Sequence, residues 1–293
     1  MRIELTERLK NGEIILSDGA LGTMLQAAGL EPGICPETWN IDFPERIEAI
    51  ARSYAEAGSQ AVETNTFGAN RFKLSHYGLQ DQVVELNQRA VEITRKAIGP
   101  DRIVLGSVGP TGVLLMMGEV TEDEFYEGFR EQCVALADAG ADIICIETMT
   151  ALDEAILAIR AAKEHTGLEV ICTMTFDKTI QGDFRTMMGV SPAEMAMSLS
   201  AAGADIIGTN CGNGMENMIP IVREIRKANP EIPILVHANA GKPHFHDGKN
   251  IFDETPEITA SYIPELIKSG ASCIGGCCGT TPEHIRKIRS FLP

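Results

Sequence analysis

The chain has 293 residues, 44% of them hydrophobic and 23% charged, an ordinary globular balance. A formal net charge of −16 excludes nucleic acid and anionic membranes as partners, because both are themselves strongly negative. No apolar run approaches the roughly 20 residues of a membrane-spanning helix, and Met1-Arg2-Ile3-Glu4 lacks a signal-peptide core, so a soluble cytoplasmic protein is expected. In that reducing setting the 8 cysteines point to packing, metal or catalysis rather than a disulfide framework.

Taken in order, Ile14-Ile15-Leu16 reads as a strand that delivers Asp18 into a glycine turn. Pro44 to Gly58 reads as a helix with Ile47, Ile50, Ala51, Tyr54 and Ala55 on one apolar face, followed by a strand at Ala61-Val62-Glu63-Thr64. Val83 to Ile98 is a second amphipathic helix before the strand Ile103-Val104-Leu105-Gly106-Ser107, and Thr121 to Ala139 a third before Ile143-Ile144-Cys145-Ile146. Strands continue at Val170 to Thr173, Ile206 to Thr209, Ile234 to His237 and Cys273 to Gly276. Apolar, non-alternating strands separated by helices imply a parallel sheet, and eight such units make a single-domain (β/α)8 TIM barrel spanning residues 1–293. The turn Asp18-Gly19-Ala20-Leu21-Gly22 is not the phosphate loop that a Rossmann-type sheet would need there.

An internal repeat sets the register. Ala57-Gly58-Ser59, Ala139-Gly140-Ala141, Ala202-Gly203-Ala204 and Ser269-Gly270-Ala271 are one helix-to-strand junction, placed before strands two, four, six and eight. Seven residues beyond these glycines stand Asn65, Glu147, Asn210 and Cys277; eight beyond stand Thr66, Thr148, Cys211 and Cys278. Active sites in such barrels form at the C-terminal strand ends, so Cys211 and Cys278 belong to equivalent rims of successive even strands. Adjacent Cys277 and Cys278 lie between glycines; two neighbouring thiolates suit a soft metal, and with Cys211 they make a three-thiolate zinc site with one open position. Cys133, Cys145, Cys172 and Cys273 sit in apolar stretches and read as core. His244 and His246, in Gly241-Lys242-Pro243-His244-Phe245-His246-Asp247-Gly248, read as part of a solvated lid rather than as ligands.

Two carboxylates, Asp18 and Glu147, end strands at the same mouth. They are readable as an acid/base pair or as the grip on an ammonium group; a helix cap is the alternative for Asp18. Glu147 directly follows four apolar residues and must meet a partner.

With these residues in hand, Asp18-Gly19-Ala20-Leu21-Gly22-Thr23-Met24, Glu63-Thr64-Asn65-Thr66-Phe67-Gly68-Ala69-Asn70, Thr209-Asn210-Cys211-Gly212 and Gly275-Gly276-Cys277-Cys278-Gly279-Thr280 together resemble the homocysteine S-methyltransferase family. The likeness runs from Leu16 to Ile288 and is nearest to the homocysteine-binding barrel of cobalamin-dependent methionine synthases, with betaine–homocysteine methyltransferases more distant. It implies that Cys211, Cys277 and Cys278 bind Zn2+, that Asp18, Gly19 and Glu147 hold the amino-acid end of homocysteine, and that Asn239 supplies an oxygen to the metal before substrate arrives. A free alkyl thiol is only a few per cent ionised at neutral pH, and zinc would make it a thiolate ready for SN2 attack on a methyl group. No segment resembles a corrinoid-binding Asp-x-His-x-x-Gly motif. The expected donor is therefore methylcobalamin carried by a separate corrinoid-binding protein, with a small sulfonium or quaternary ammonium such as S-methylmethionine or betaine as the alternative. A zinc-dependent lyase or hydrolase and a non-catalytic zinc-binding subunit are the remaining readings.

Overall fold

A computed structural model of the chain describes residues 4–246 and 249–292. Eight strands form its sheet: β1 (Ile15–Leu16), β2 (Ala61–Glu63), β3 (Ile103–Val108), β4 (Ile143–Met149), β5 (Glu169–Met174), β6 (Ile206–Asn210), β7 (Ile234–Ala238) and β8 (Cys273–Gly276). Each pairs in parallel with its successor from β2 to β8, and β8 pairs with β1 in the register Ile15↔Cys273 and Leu16↔Ile274. The remaining seam, between β1 and β2, is bridged by Gln60. Its backbone N–H donates to the Leu16 carbonyl at 2.7 Å, and its side-chain oxygen accepts from the Leu16 N–H at 3.0 Å. The expected TIM barrel is the observed one.

The helices form where apolar spacing dictated. They include α1 (Pro44–Ala57), α2 (Val83–Ile98), α3 (Glu122–Asp138), α4 (Leu152–Thr166), α5 (Pro192–Ala202), α6 (Met215–Ala228), α7 (Ile263–Ser269) and α8 (Pro282–Arg289). Thr121 and Glu124 cap α3 reciprocally, which sets its start one residue inside the expected span. The repeated junction has a single conformation: Gly58, Gly140, Gly203 and Gly270 have φ of 109°, 96°, 102° and 116°. This left-handed backbone ends a helix at little cost only in glycine, which is why the same tripeptide recurs.

Alternation along the strands separates two cores. Val62, Val104, Ile144, Ile207, Val236 and Ile274 face the helices, whereas Ile15, Ala61, Leu105, Ile143, Ile171, Ile206 and Leu235 fill the barrel interior. Leu5 and Leu9 of a short helix, Leu5–Lys10, plug the N-terminal end of that interior. Glu169 pins this helix by accepting from the N–H groups of Leu5 and Thr6 at 2.7 and 2.9 Å. Toward the C-terminal end the interior turns polar, with Ser17, Ser107, Glu147, Thr173, Asn210 and His237 all buried. Strand β4 runs past its expected end at Ile146 to Met149, across an irregularity between those two residues. Among the described residues no helix is long and apolar enough to cross a membrane.

Candidate metal centre and substrate cavity

Three cysteines meet where β6 and β8 leave the sheet on either side of β7. Cys211 N–H donates to the His237 carbonyl at 2.9 Å and Cys277 N–H to the Ala238 carbonyl at 2.7 Å, so both loops hang from β7. The sulfurs of Cys211, Cys277 and Cys278 all lie within 4.8 Å of one another, with Cys211 and Cys278 4.0 Å apart. These three are partly exposed; Cys35, Cys133, Cys145, Cys172 and Cys273 are buried, and none of the eight is in a disulfide. Asn239, at the end of β7, places its side chain on the Cys211 sulfur, and its buried Oδ1 has no hydrogen-bond partner.

The donor set fits zinc. Three converging sulfurs would be soft ligands, and the unpartnered amide oxygen beside them would be a fourth donor. Contact with Cys277 and then Cys278 holds the Cys211 thiol well below the ordinary range.

On the other side of the same cavity, of about 280 Å3, stand carboxylates. Glu147 stands two residues before the end of β4, with Oε1 accepting from Ser107 Oγ at 2.5 Å and Oε2 from Asn210 Nδ2 at 3.2 Å, which supplies the partners its position demanded. Burial, and then Glu63, push its carboxyl well above the ordinary range. Asp18 caps no helix. It is buried one step behind the wall, accepting from Glu63 N–H at 2.9 Å and Ser17 Oγ at 3.2 Å, and burial followed by the Glu63 charge raises it to about 7. Gly19 reaches the cavity beside it, where a Cβ would come within 2.9 Å of the Tyr54 ring. The Tyr54 hydroxyl donates to the Ala20 and Thr280 carbonyls at 2.7 and 2.9 Å, tying the first barrel turn to the cysteine loop.

Two further cavity residues went unassigned from sequence. Glu63, raised to about 7 by burial, lies 3.4 Å from His237 Nδ1 and presents the carboxylate that faces the cavity next to Asp18. His237 is buried with Nε2 unpartnered, and burial lowers its pKa against the pull of Asp18 and Glu147. The signal for Glu63 was present: a charged residue closing the apolar Ala61-Val62 pair, the same anomaly that marked Glu147. His244 is exposed and sits 3.3 Å from Asp253, away from the cavity walls. The end of its loop, Asp247 and Gly248, and the side chain of His246 lie outside the described residues.

A cavity with sulfur ligands at one side and carboxylates at the other suits a small molecule bearing a thiol and an ammonium. Comparison with known proteins agrees. Methionine synthase of Mycobacterium tuberculosis is 34% identical over 300 residues, which cover 95% of this chain and 24% of that protein. The chain thus spans about a quarter of the length of the curated relatives it matches. The metallated form of the homocysteine methyltransferase MmuM from Escherichia coli superposes with a TM-score of 0.81 at 25% identity, covering 98% of this chain and 99% of that one. The carboxyl transferase domain of Rhizobium etli pyruvate carboxylase, with a TM-score of 0.56 at 17% identity over 98% of this chain and 48% of that one, shares the fold alone. The family model described as homocysteine S-methyltransferase matches residues 15–292, so nearly the whole chain is covered: it belongs to the homocysteine S-methyltransferase family.

Proposed function

We propose that this chain binds homocysteine and methylates its sulfur, giving methionine. The observation that carries this reading is the convergence of Cys211, Cys277 and Cys278 across one cavity from Glu147 and Glu63. Cys211, Cys277 and Cys278 would hold Zn2+, with the free Asn239 Oδ1 as the oxygen donor. When bound, the ion would let a substrate thiol be held as a nucleophilic thiolate at neutral pH.

The remaining work falls to the chain's own residues. Glu147 and Asp18 supply negative charge for the substrate ammonium, and Gly19 leaves its wall open to the amino-acid end. Glu63 adds to that charge from beside His237. Ser107 and Asn210 orient the Glu147 carboxylate so that its electrostatic attraction is preorganised rather than solvent-borne. Fixing both ends of the substrate brings its sulfur in line with a methyl carbon presented at the barrel mouth. The S–C bond forms as the donor departs with its bonding electron pair, and the thiol proton leaves to solvent.

For the donor we favour a methyl-corrinoid carried by a partner protein. Phe67 is the single carbocyclic aromatic among the described cavity residues, whereas a sulfonium or quaternary ammonium would be gripped by several aromatic faces. Met116, Met117 and Met187, at 71%, 65% and 73% exposure, sit on loops beyond β3 and β5 and suit an adaptable protein contact. Eight unpaired cysteines fit a reducing compartment, so we place the protein in the cytoplasm.

Metal analysis and homocysteine calorimetry on the purified protein and on Cys211→Ser test the reading. Stoichiometric zinc and proton release on homocysteine binding, both lost in the variant, are the expected results. A metal-free protein that binds no thiol would overturn it.

A further inference from the structure

Among the described residues only two non-glycines have positive φ, Thr148 at 62° and Cys211 at 59°. Each stands eight residues beyond a junction glycine, directly after Glu147 and Asn210 respectively. A β-branched residue rarely adopts this backbone, and it persists only where surrounding contacts over-determine it. For Thr148 those contacts come from one side chain. Asn210 Oδ1 accepts from the Thr148 N–H at 2.8 Å, and Asn210 Nδ2 donates to Thr148 Oγ1 at 2.7 Å.

The same amide reaches further. Its Nδ2 also donates to Glu147 Oε2 at 3.2 Å, and its Oδ1 accepts from Thr173 Oγ1 at 2.7 Å. Both donors and both acceptor sites of Asn210 are therefore filled, and exchanging N for O would set oxygen against the Glu147 carboxylate and N–H against the Thr148 N–H. Asn210 is fully buried, lines no part of the cavity, and is peptide-bonded to Cys211. One wholly engaged side chain thus joins the backbone that carries the first sulfur to the turn that aims the carboxylate.

We propose that Asn210 is a positioning residue that clamps Thr148 in its left-handed turn and so fixes Glu147 relative to Cys211 for recognition of the substrate ammonium. This rests on the homocysteine reading above. It goes beyond that reading by tracing ammonium recognition to the left-handed Thr148 backbone that Asn210 holds in place.

The test is calorimetry on the zinc-loaded protein with homocysteine and with 4-mercaptobutanoate, which is homocysteine without its amino group. Asn210→Ala should keep wild-type zinc content and bind 4-mercaptobutanoate within about twofold of wild type, yet bind homocysteine roughly tenfold or more weakly, the scale of a lost hydrogen bond to a charged group. Asn210→Asp, nearly isosteric, should show the same selective loss if the alanine variant folds poorly. Adding Thr148→Gly to Asn210→Ala should recover part of the homocysteine affinity, because glycine takes the left-handed turn unaided. Unchanged homocysteine affinity in both Asn210 variants, or equal weakening of both thiols, would overturn the clamp. A wild-type protein that binds neither zinc nor homocysteine would instead bring down the functional reading, and the clamp with it.

Discussion

The barrel holds cysteines of two kinds, and the contrast between them shows how position decides chemistry. Cys145 and Cys273 lie inside the barrel among Ile, Leu and Ala, and Cys133 and Cys172 lie between strands and helices. Burial pushes Cys133 and Cys273 up to about 12, so they behave as small apolar residues. Cys211, Cys277 and Cys278 stand just past the strand ends, where each meets other sulfurs and solvent. There the same side chain is placed to serve as the metal ligand proposed above. A few residues along a strand separate filler from function, because the interior changes from apolar to polar toward the C-terminal end.

The sharpest way to break this contrast is at its two poles. Cys211→Ser should abolish zinc retention and homocysteine binding, read by metal analysis and calorimetry. Cys133→Ala, in the helix-facing core, should leave both intact. The next largest effect is expected at Glu147→Gln, which removes the charge proposed for the ammonium. Its homocysteine dissociation constant should rise by roughly 10- to 100-fold, the loss expected when a charged hydrogen bond is removed, with zinc content unchanged.

The carboxylate side adds a pH signature of its own to the one that thiol deprotonation brings on the cysteine side. Asp18 and Glu63 rise on folding from ordinary values of 3.8 and 4.5 to about 7. Both gain protons as pH falls through 7, so between pH 8 and pH 6 homocysteine affinity should weaken severalfold more than that of 4-mercaptobutanoate, whose thiol loses its proton in the same way, and Glu63→Gln should shrink that difference. Stability should move the other way. For acids whose pKa is raised by folding, the contribution is fully present below about pH 4 and is lost as pH climbs through 7. Denaturant midpoints measured across that range check the sign. Smallest is the stability cost of Cys133→Ala, about 1 kcal/mol from lost packing in a filled core, seen as a lower melting temperature without a change in zinc.

Much of this was legible because strands and helices impose fixed periods. The four Ala/Ser-Gly-Ala/Ser junctions marked helix ends by the one residue that tolerates left-handed backbone, and counting from them put Cys211 beside Cys278 before any coordinates. Glu147 announced itself as a charge closing an apolar strand. The same logic applied to Glu63, yet its relation to His237 stayed hidden, since these residues are 174 positions apart and meet only when the barrel closes. Asp18 shows the limit in another way. Its place at a strand end was readable, but its retreat behind Glu63 follows from a hydrogen bond across the β1–β2 seam.

What the sequence determined by itself was the order of βα units, the face each strand residue takes and the level of each residue along the barrel, because these follow from local periods and glycine-marked ends. Tertiary structure alone decided which groups meet across the mouth: the fit of Asn239 against Cys211, the shared burial of Asp18, Glu63 and Glu147, and the Asn210 clamp on Thr148. Those contacts join strands distant in the chain, and their geometry is set by closure of the sheet, which no local pattern records.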